Sequence, residues 1–361
     1  MRTSSQLKVA VIGGGIAGAE VVRNAPQRQL EITLIEPKGQ IECQALYPEY
    51  LAGAARLEDL TAPLKPFCDR MGARLINERA ISMETNLIVC EKSRIEFDVA
   101  VVATGAAQNY FGVKGADRSF SVNSLQETER AKRFLEKEKP RRIAIIGSGL
   151  TGVETACALK ERIDADIRII EAKNRVLPQF SENISSIINK TLLEKGIDTL
   201  VSARVSEMKD ECILFSDGST LDCEMAFWTA GIKPSDFVCN LALPKKDEEW
   251  LLTNPKLQSL GNIFAIGDCA WVQVNGKVAS KTAIEAEHQA AHMAKNLSRW
   301  AEGKPLMDYS IVAPTDAPVA LISMGCNSAV GVYGSICLAM PARLIHALKG
   351  WIDKSFIQRY K

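Results

Sequence analysis

No apolar run in this 361-residue chain approaches the roughly 18 residues that a membrane-spanning helix requires, so no bilayer-crossing segment is expected. Histidine is scarce, with three in all, and no H-E-x-x-H occurs. His288 and His292 stand four apart on one helical face but no third ligand accompanies them, so no metal site is expected. The ten cysteines are scattered without a C-x-x-C or C-x4-C pair. That argues against a disulfide framework, a zinc site and a redox dithiol, and it fits a reducing cytoplasm. An excess of one charge is missing too: 44 Lys and Arg against 43 Asp and Glu leave a net charge of +1. No global field therefore recruits nucleic acid. The first strand begins near residue 8, so no signal or transit peptide is expected.

What the chain does have is one glycine fingerprint written twice. Val9-Ala-Val-Ile-Gly-Gly-Gly-Ile-Ala-Gly18 and Ile143-Ala-Ile-Ile-Gly-Ser-Gly-Leu-Thr-Gly152 each run an apolar strand into G-x-G-x-x-G and then a helix. A second apolar run follows each and ends in an acid, Ile32-Thr-Leu-Ile-Glu36 and Ile167-Arg-Ile-Ile-Glu171. The first glycine (Gly13, Gly147) permits the tight turn, and the second (Gly15, Gly149) lets the backbone approach a pyrophosphate. The third (Gly18, Gly152) packs the helix onto its strand. The helix N-terminus offers N–H groups and a positive dipole end to the phosphates, and the acid accepts from a ribose. Two fingerprints in full strand–helix–strand–acid context imply two bound nucleotides.

The two halves are organised alike. In the first, Leu75–Ile76, Leu87–Cys90 and Ile95–Phe97 read as an antiparallel excursion, and Val99-Ala-Val-Val-Ala-Thr-Gly105 closes the half as a buried strand. A polar, helix-rich crossover follows. The second half ends in Met225-Ala-Phe-Trp-Thr-Ala-Gly231, with Gly231-Ile-Lys-Pro234 as its exit hinge. Ile263-Phe-Ala-Ile-Gly-Asp268 is another buried strand, leading into a helix from Lys281 to His292. The last segment keeps Leu344, Ile345, Leu348, Trp351, Ile352 and Phe356 at helical spacing.

Two fingerprints, the strand ends Ala103-Thr-Gly105 and Thr229-Ala-Gly231 and a late Gly-Asp strand end resemble the two-dinucleotide-binding flavoproteins over essentially the whole chain. The resemblance implies an α/β fold of two Rossmann-like dinucleotide-binding domains, the FAD domain split around an inserted NAD domain, plus a small C-terminal module. The expected limits are 1–112 with 255–304 for FAD, 113–254 for NAD(P)H, and 305–361 for a module that shields the flavin and touches membrane. It also implies that Gly13, Gly15, Gly18, Glu36, Ala103, Thr104, Gly105, Gly267 and Asp268 hold FAD. Gly147, Gly149, Gly152 and Glu171 hold the nicotinamide nucleotide. Glu171 favours NADH by repelling a 2′-phosphate, while Arg175 could accommodate NADPH.

Within that superfamily the chain is similar to the type II NADH:quinone dehydrogenases and the ferroptosis-suppressor-like NAD(P)H:quinone oxidoreductases. Gly149-Leu-Thr-Gly-Val-Glu154-Thr-Ala and Leu321-Ile-Ser-Met-Gly-Cys-Asn-Ser-Ala-Val-Gly331 carry the likeness. The quinone motif A-Q-x-A-x-Q is not kept, since Ala283-Ile-Glu-Ala-Glu-His288 replaces both glutamines. The implied reaction is hydride transfer from NADH to flavin, then electron delivery to a quinone. Glu154, Lys281, Glu285 and His288 are the candidate catalytic residues. Glu154 lies beside the nicotinamide–flavin stack or merely complements a helix dipole. Glu285 and His288 line an acceptor pocket or are ordinary surface polarity. Cys43 offers a competing NADH oxidase or peroxidase reading, its bland version being a small buried hydrophobe. A nucleotide-sensing, apoptosis-inducing-factor-like flavoprotein is the other alternative. The C-terminal stripe, flanked by Arg343, Lys349, Lys354, Arg359 and Lys361, lies on a membrane, covers the protein's own core or buries a homodimer contact. The expected location is cytoplasmic, peripheral on the inner face of a membrane.

Overall fold

A computed structural model describes residues 6–361 apart from 248 and 339. Leu7–Ile12 forms the centre of a six-stranded sheet because Val9, Ala10, Val11 and Ile12 are all buried, the pattern of a parallel strand covered on both faces. The strand order is Gln258–Leu260, Ile263–Ala265, Val99–Val102, Leu7–Ile12, Leu30–Ile35, Arg74–Ile76. Only the Gln258–Leu260 edge runs antiparallel to its neighbour. Strands from both ends of the chain thus share one sheet. Between them comes a four-stranded parallel sheet in the order Ile197–Leu200, Asp166–Ile170, Arg142–Ile146, Met225–Trp228. The architecture is α/β, with two units each built on a largely parallel sheet.

Two short antiparallel strands, Ala106–Gln108 and Ile232–Pro234, connect the units in both directions. The segment Gly231-Ile-Lys-Pro234 is therefore one strand of a two-way hinge. One expectation is corrected here. Arg74–Ile76 joins the parallel sheet beside Leu30–Ile35, and the antiparallel excursion is Ala80–Met83, Leu87–Cys90 and Arg94–Glu96. The Leu64–Met71 helix ends on Gly72 in the left-handed region and returns the chain alongside Leu30–Ile35, a direction that three residues of alternation cannot encode.

The C-terminal part is an antiparallel sheet of Val319–Ser323, Ala329–Tyr333 and Ile336–Cys337, followed by the helix Ala342–Gln358. The helical stripe read from the sequence is divided by packing. Ile345 and Phe356 are buried, whereas Leu344, Leu348, Trp351 and Ile352 face outward, Trp351 at 69% exposure. Beyond the helix, Tyr360 is buried and its hydroxyl donates to Glu20 on the first fingerprint's own helix, Ile16–Asn24, while Arg359 pairs with Glu287 at 2.7 Å.

Candidate active site: two matched glycine turns and a buried lysine

The two fingerprints have nearly the same backbone. Gly13 and Gly147 sit at φ +103° and +102°, a conformation that L side chains avoid. A methyl group on Gly18 would collide with the Gly13 carbonyl, and one on Gly152 with the Gly147 carbonyl. The middle glycines differ from these. A methyl group on Gly15 or Gly149 would meet nothing within 4 Å, so each turn opens onto a cradle at its helix N-terminus. Among the described residues no side chain caps either helix. Those two open, donor-rich turns fit a pyrophosphate each.

An acid closes each cradle. Glu36 accepts from the Gly14 amide at 2.7 Å and the Lys38 amide at 2.9 Å. Glu171 accepts from the Ser148 amide at 3.0 Å, the Ser148 hydroxyl at 2.6 Å and the Lys173 amide at 2.8 Å. Both carboxylates are buried and held rigid at the ends of their strands. Arg175 is engaged elsewhere, donating to the carbonyls of Pro178 and Phe180 in its own loop.

Ala103, Thr104 and Gly105 follow the central strand Val99–Val102, with the Ala103 carbonyl against Gly13. The adjacent strand delivers Gly267 and Asp268. Burial raises the Asp268 carboxyl, opposed by the Lys281 charge, and no hydrogen-bond donor reaches that carboxylate among the described residues. Lys281 Nζ donates to the carbonyls of Asp268 at 2.6 Å and Ala270 at 3.0 Å, and lies 3.7 Å from the centre of the Trp250 ring. Burial pulls this lysine down to about 8, with Asp268 working the other way. A partly buried carboxylate without a protein donor among the described residues, next to the open Gly15 cradle, fits the hydroxyl-bearing chain of a flavin nucleotide.

Glu154, on the helix Leu150–Lys160 that opens from the second turn, faces the C-terminal module. It accepts from the Ser323 amide at 2.8 Å and lies 3.7 Å from Lys349 Nζ. Lys349 also pairs with Asp353 at 2.8 Å and reaches Glu49 at 4.0 Å. Burial, with Glu49 and Asp353 adding to it against Lys349, raises the Glu154 carboxyl to about 7. Burial opposes the charge on Lys349, but Glu154, Asp353 and Glu49 outweigh it and hold the ammonium protonated.

A sequence profile described as pyridine nucleotide-disulphide oxidoreductase matches residues 7–294. The chain belongs to that family. It is 26% identical to a type II NADH:quinone oxidoreductase of Haemophilus influenzae over 83% of this chain and 82% of that protein. It is 24% identical to the mitochondrial internal alternative NAD(P)H-ubiquinone oxidoreductase A1 of Solanum tuberosum over 82% and 70%. The fold matches that of NDH2 from Plasmodium falciparum, solved in complex with NADH, with a TM-score of 0.85 at 16% identity over 98% and 97% of the two chains.

The structure bears on three readings of this oxidoreductase's sequence. Glu285 is fully buried rather than ordinary surface polarity: it takes the Tyr309 hydroxyl at 2.7 Å and the Ala313 amide at 2.8 Å, bracketing the segment before the last sheet. His288 points to solvent on the same helix, away from these buried groups. Cys43 is buried beneath the last helix, its Sγ 3.8 Å from the Asp353 carbonyl, and burial with the Asp353 charge pushes the thiol up to about 12. A thiol so held carries little thiolate near neutral pH, which matches the reading of Cys43 as a small buried hydrophobe rather than a redox centre.

Sequence reasoning missed Gln289, whose side-chain oxygen accepts from the Gly267 amide at 2.7 Å, and it placed Lys349 among surface cations. Lys349 is instead 7% exposed. Its i+4 partner Asp353 was the visible signal, an opposite-charge pair one turn apart on the same helix. No group of three or more metal-ligating side chains occurs among the described residues, and no helix there is long and apolar enough to cross a membrane.

Proposed function

We propose that this oxidoreductase passes a hydride from NADH to bound FAD and the electrons onward to a quinone. The observation that carries the reading is the pair of matched, open glycine turns, each with its acid held in place, on either side of a two-stranded hinge. FAD belongs to the first, with Gly13, Gly15 and Gly18 at its pyrophosphate, Glu36 at its ribose, and Ala103–Gly105, Gly267 and Asp268 along the flavin side. The nicotinamide nucleotide belongs to the second, with Gly147, Gly149, Gly152 and Glu171. The corresponding units are 1–112 with 255–304, and 113–254. Bound flavin supplies a centre that takes a hydride and releases electrons, which the protein only orients and surrounds.

This chain's own groups do the rest. Lys281, uncharged more readily than an ordinary lysine, places a donor beside Asp268. Glu154 and Lys349 form a buried proton-holding pair at the junction with the C-terminal module, Glu154 with a carboxyl poised near neutrality. Glu171 orients the adenosine ribose and disfavours a 2′-phosphate, so NADH is preferred to NADPH.

The acceptor approaches from a membrane surface. Leu344, Leu348, Trp351 and Ile352 on the last helix and Tyr333, Ile336 and Met340 before it are exposed apolar side chains on one module, with Arg343 and Lys354 nearby. Such a surface suits an anionic bilayer interface. A second copy of the chain is the competing occupant of that surface.

Anaerobic stopped-flow tests the reading. NADH is expected to bleach the flavin absorbance rapidly, and a quinone in lipid to restore it rapidly. Fast bleaching with slow, quinone-independent recovery and a persistent charge-transfer band would mark a nucleotide sensor instead.

A further inference from the structure

Phe111 is the most conspicuous misfit in the molecule. It is 62% exposed, and its backbone sits at φ +51°, a region that costs a bulky L residue energy and is populated where surrounding contacts impose it. The contacts here are specific. The Phe111 amide donates to Asn109 Oδ1 at 2.8 Å, and the Asn109 carbonyl accepts from Trp228 Nε1 at 2.8 Å. The Gly231 carbonyl accepts both the Asn109 amide at 3.0 Å and Gln108 Nε2 at 2.6 Å. Four hydrogen bonds therefore fasten a strained loop and leave an aromatic ring outside.

The ring lies against Gly231, where a methyl group would stand 2.7 Å from Phe111 Cζ. Gly231 ends the Thr229-Ala230-Gly231 turn. Thr229 Oγ1 donates to the Gly147 carbonyl at 3.0 Å, and a methyl group on Gly147 would be 2.6 Å from Ala230 Cα. Phe111 is thus connected through two short contacts to the mouth of the second fingerprint.

Its side of that mouth is also defined. Glu171, the ribose acid, stands at the end of Asp166–Ile170, on one flank of Arg142–Ile146; Gly231 follows Met225–Trp228, on the other flank. A dinucleotide with its adenosine ribose on Glu171 and its pyrophosphate over Gly149 directs its nicotinamide half toward Gly231 and the hinge.

We propose that Phe111 is a binding residue for the nicotinamide half of the dinucleotide, offering its ring face as a wall against the nicotinamide nucleoside. The strained loop aims that ring before the ligand arrives. The inference rests on the reading that the second fingerprint binds a nicotinamide dinucleotide.

The test uses FAD-loaded protein and two ligands, measured by isothermal titration calorimetry. Tetrahydro-NAD is a reduced analogue that cannot donate its hydride, and ADP-ribose lacks the nicotinamide. In Phe111→Ala, tetrahydro-NAD is expected to bind about fivefold more weakly, the size of one aromatic contact, while ADP-ribose binds as in the wild type. Phe111→Trp is expected to restore tetrahydro-NAD binding, and Gly231→Ala, which displaces the ring, to copy the loss. Equal losses for both ligands in Phe111→Ala, or no loss for either, overturn the inference while leaving the nucleotide site standing. Failure of the wild-type protein to bind either ligand overturns the nucleotide reading and the inference together.

Discussion

Lys349 Nζ on the last helix stands 3.7 Å from Glu154 Oε1, so the C-terminal module sets the charge of an acid on the helix that opens the second glycine turn. With a carboxyl near 7 against an ordinary 4.5, folded Glu154 holds a proton that the unfolded chain releases. The stability this group contributes is complete below pH 4.5 and is lost as pH rises through 7. Glu154→Gln should flatten the fall in melting temperature between about pH 5 and 8, an effect on the order of 2 kcal/mol. It should also remove an ionisation near pH 7 from quinone-dependent turnover while FAD stays bound. Lys349→Met strips the counter-charge, so the same ionisation should move upward and stability fall by about 3 kcal/mol. An unchanged pH profile in both variants would remove the pair from the reaction.

Glu285 should behave as a structural residue. Glu285→Ala leaves the Tyr309 hydroxyl and the Ala313 and Val312 amides without their acceptor, and is expected to cost about 2–4 kcal/mol in denaturant unfolding. The rate of flavin reduction by NADH, measured below the unfolding transition, is expected to stay within a factor of about two.

Coenzyme choice should follow Glu171. Removing its charge in Glu171→Gln is expected to narrow the kcat/KM preference for NADH over NADPH about tenfold, chiefly through NADPH. Ser148→Ala withdraws the hydroxyl that orients Glu171 and should weaken NADH binding without improving NADPH.

Cys43→Ser is expected to retain NADH-dependent turnover, because the thiol is buried and held up to about 12. Loss of turnover together with an intact melting temperature would return the cysteine to the chemistry.

Membrane attachment should depend on the outward edge of the last helix. Burial of one large apolar side chain corresponds to roughly tenfold or more in affinity, so Trp351→Glu combined with Leu348→Glu should abolish sedimentation with anionic vesicles. Retained vesicle binding, or a change in oligomeric state instead, would assign the patch to a second copy of the chain.

The glycine turns could be read from the chain because their requirement is local. Gly13 and Gly147 need a backbone conformation that side chains resist, Gly18 and Gly152 a contact with no room for a Cβ, and the following strand must end in an acid. The α/β class followed from the same spacing. Other features depend on which distant surfaces meet. Periodicity marked Ile345, Trp351 and Phe356 as one stripe, but only packing against the last sheet and Leu57–Leu60 chose Ile345 and Phe356 for the interior and left Trp351 outside. Lys349 looked like a surface cation until Glu49 and Glu154, remote in sequence, converged on it. Arg74–Ile76 took its direction from the neighbouring Leu30–Ile35 strand and the turn at Gly72. Charge states, buried brackets and strand direction are collective quantities, fixed by desolvation and by partners that only the folded chain brings within a few ångströms.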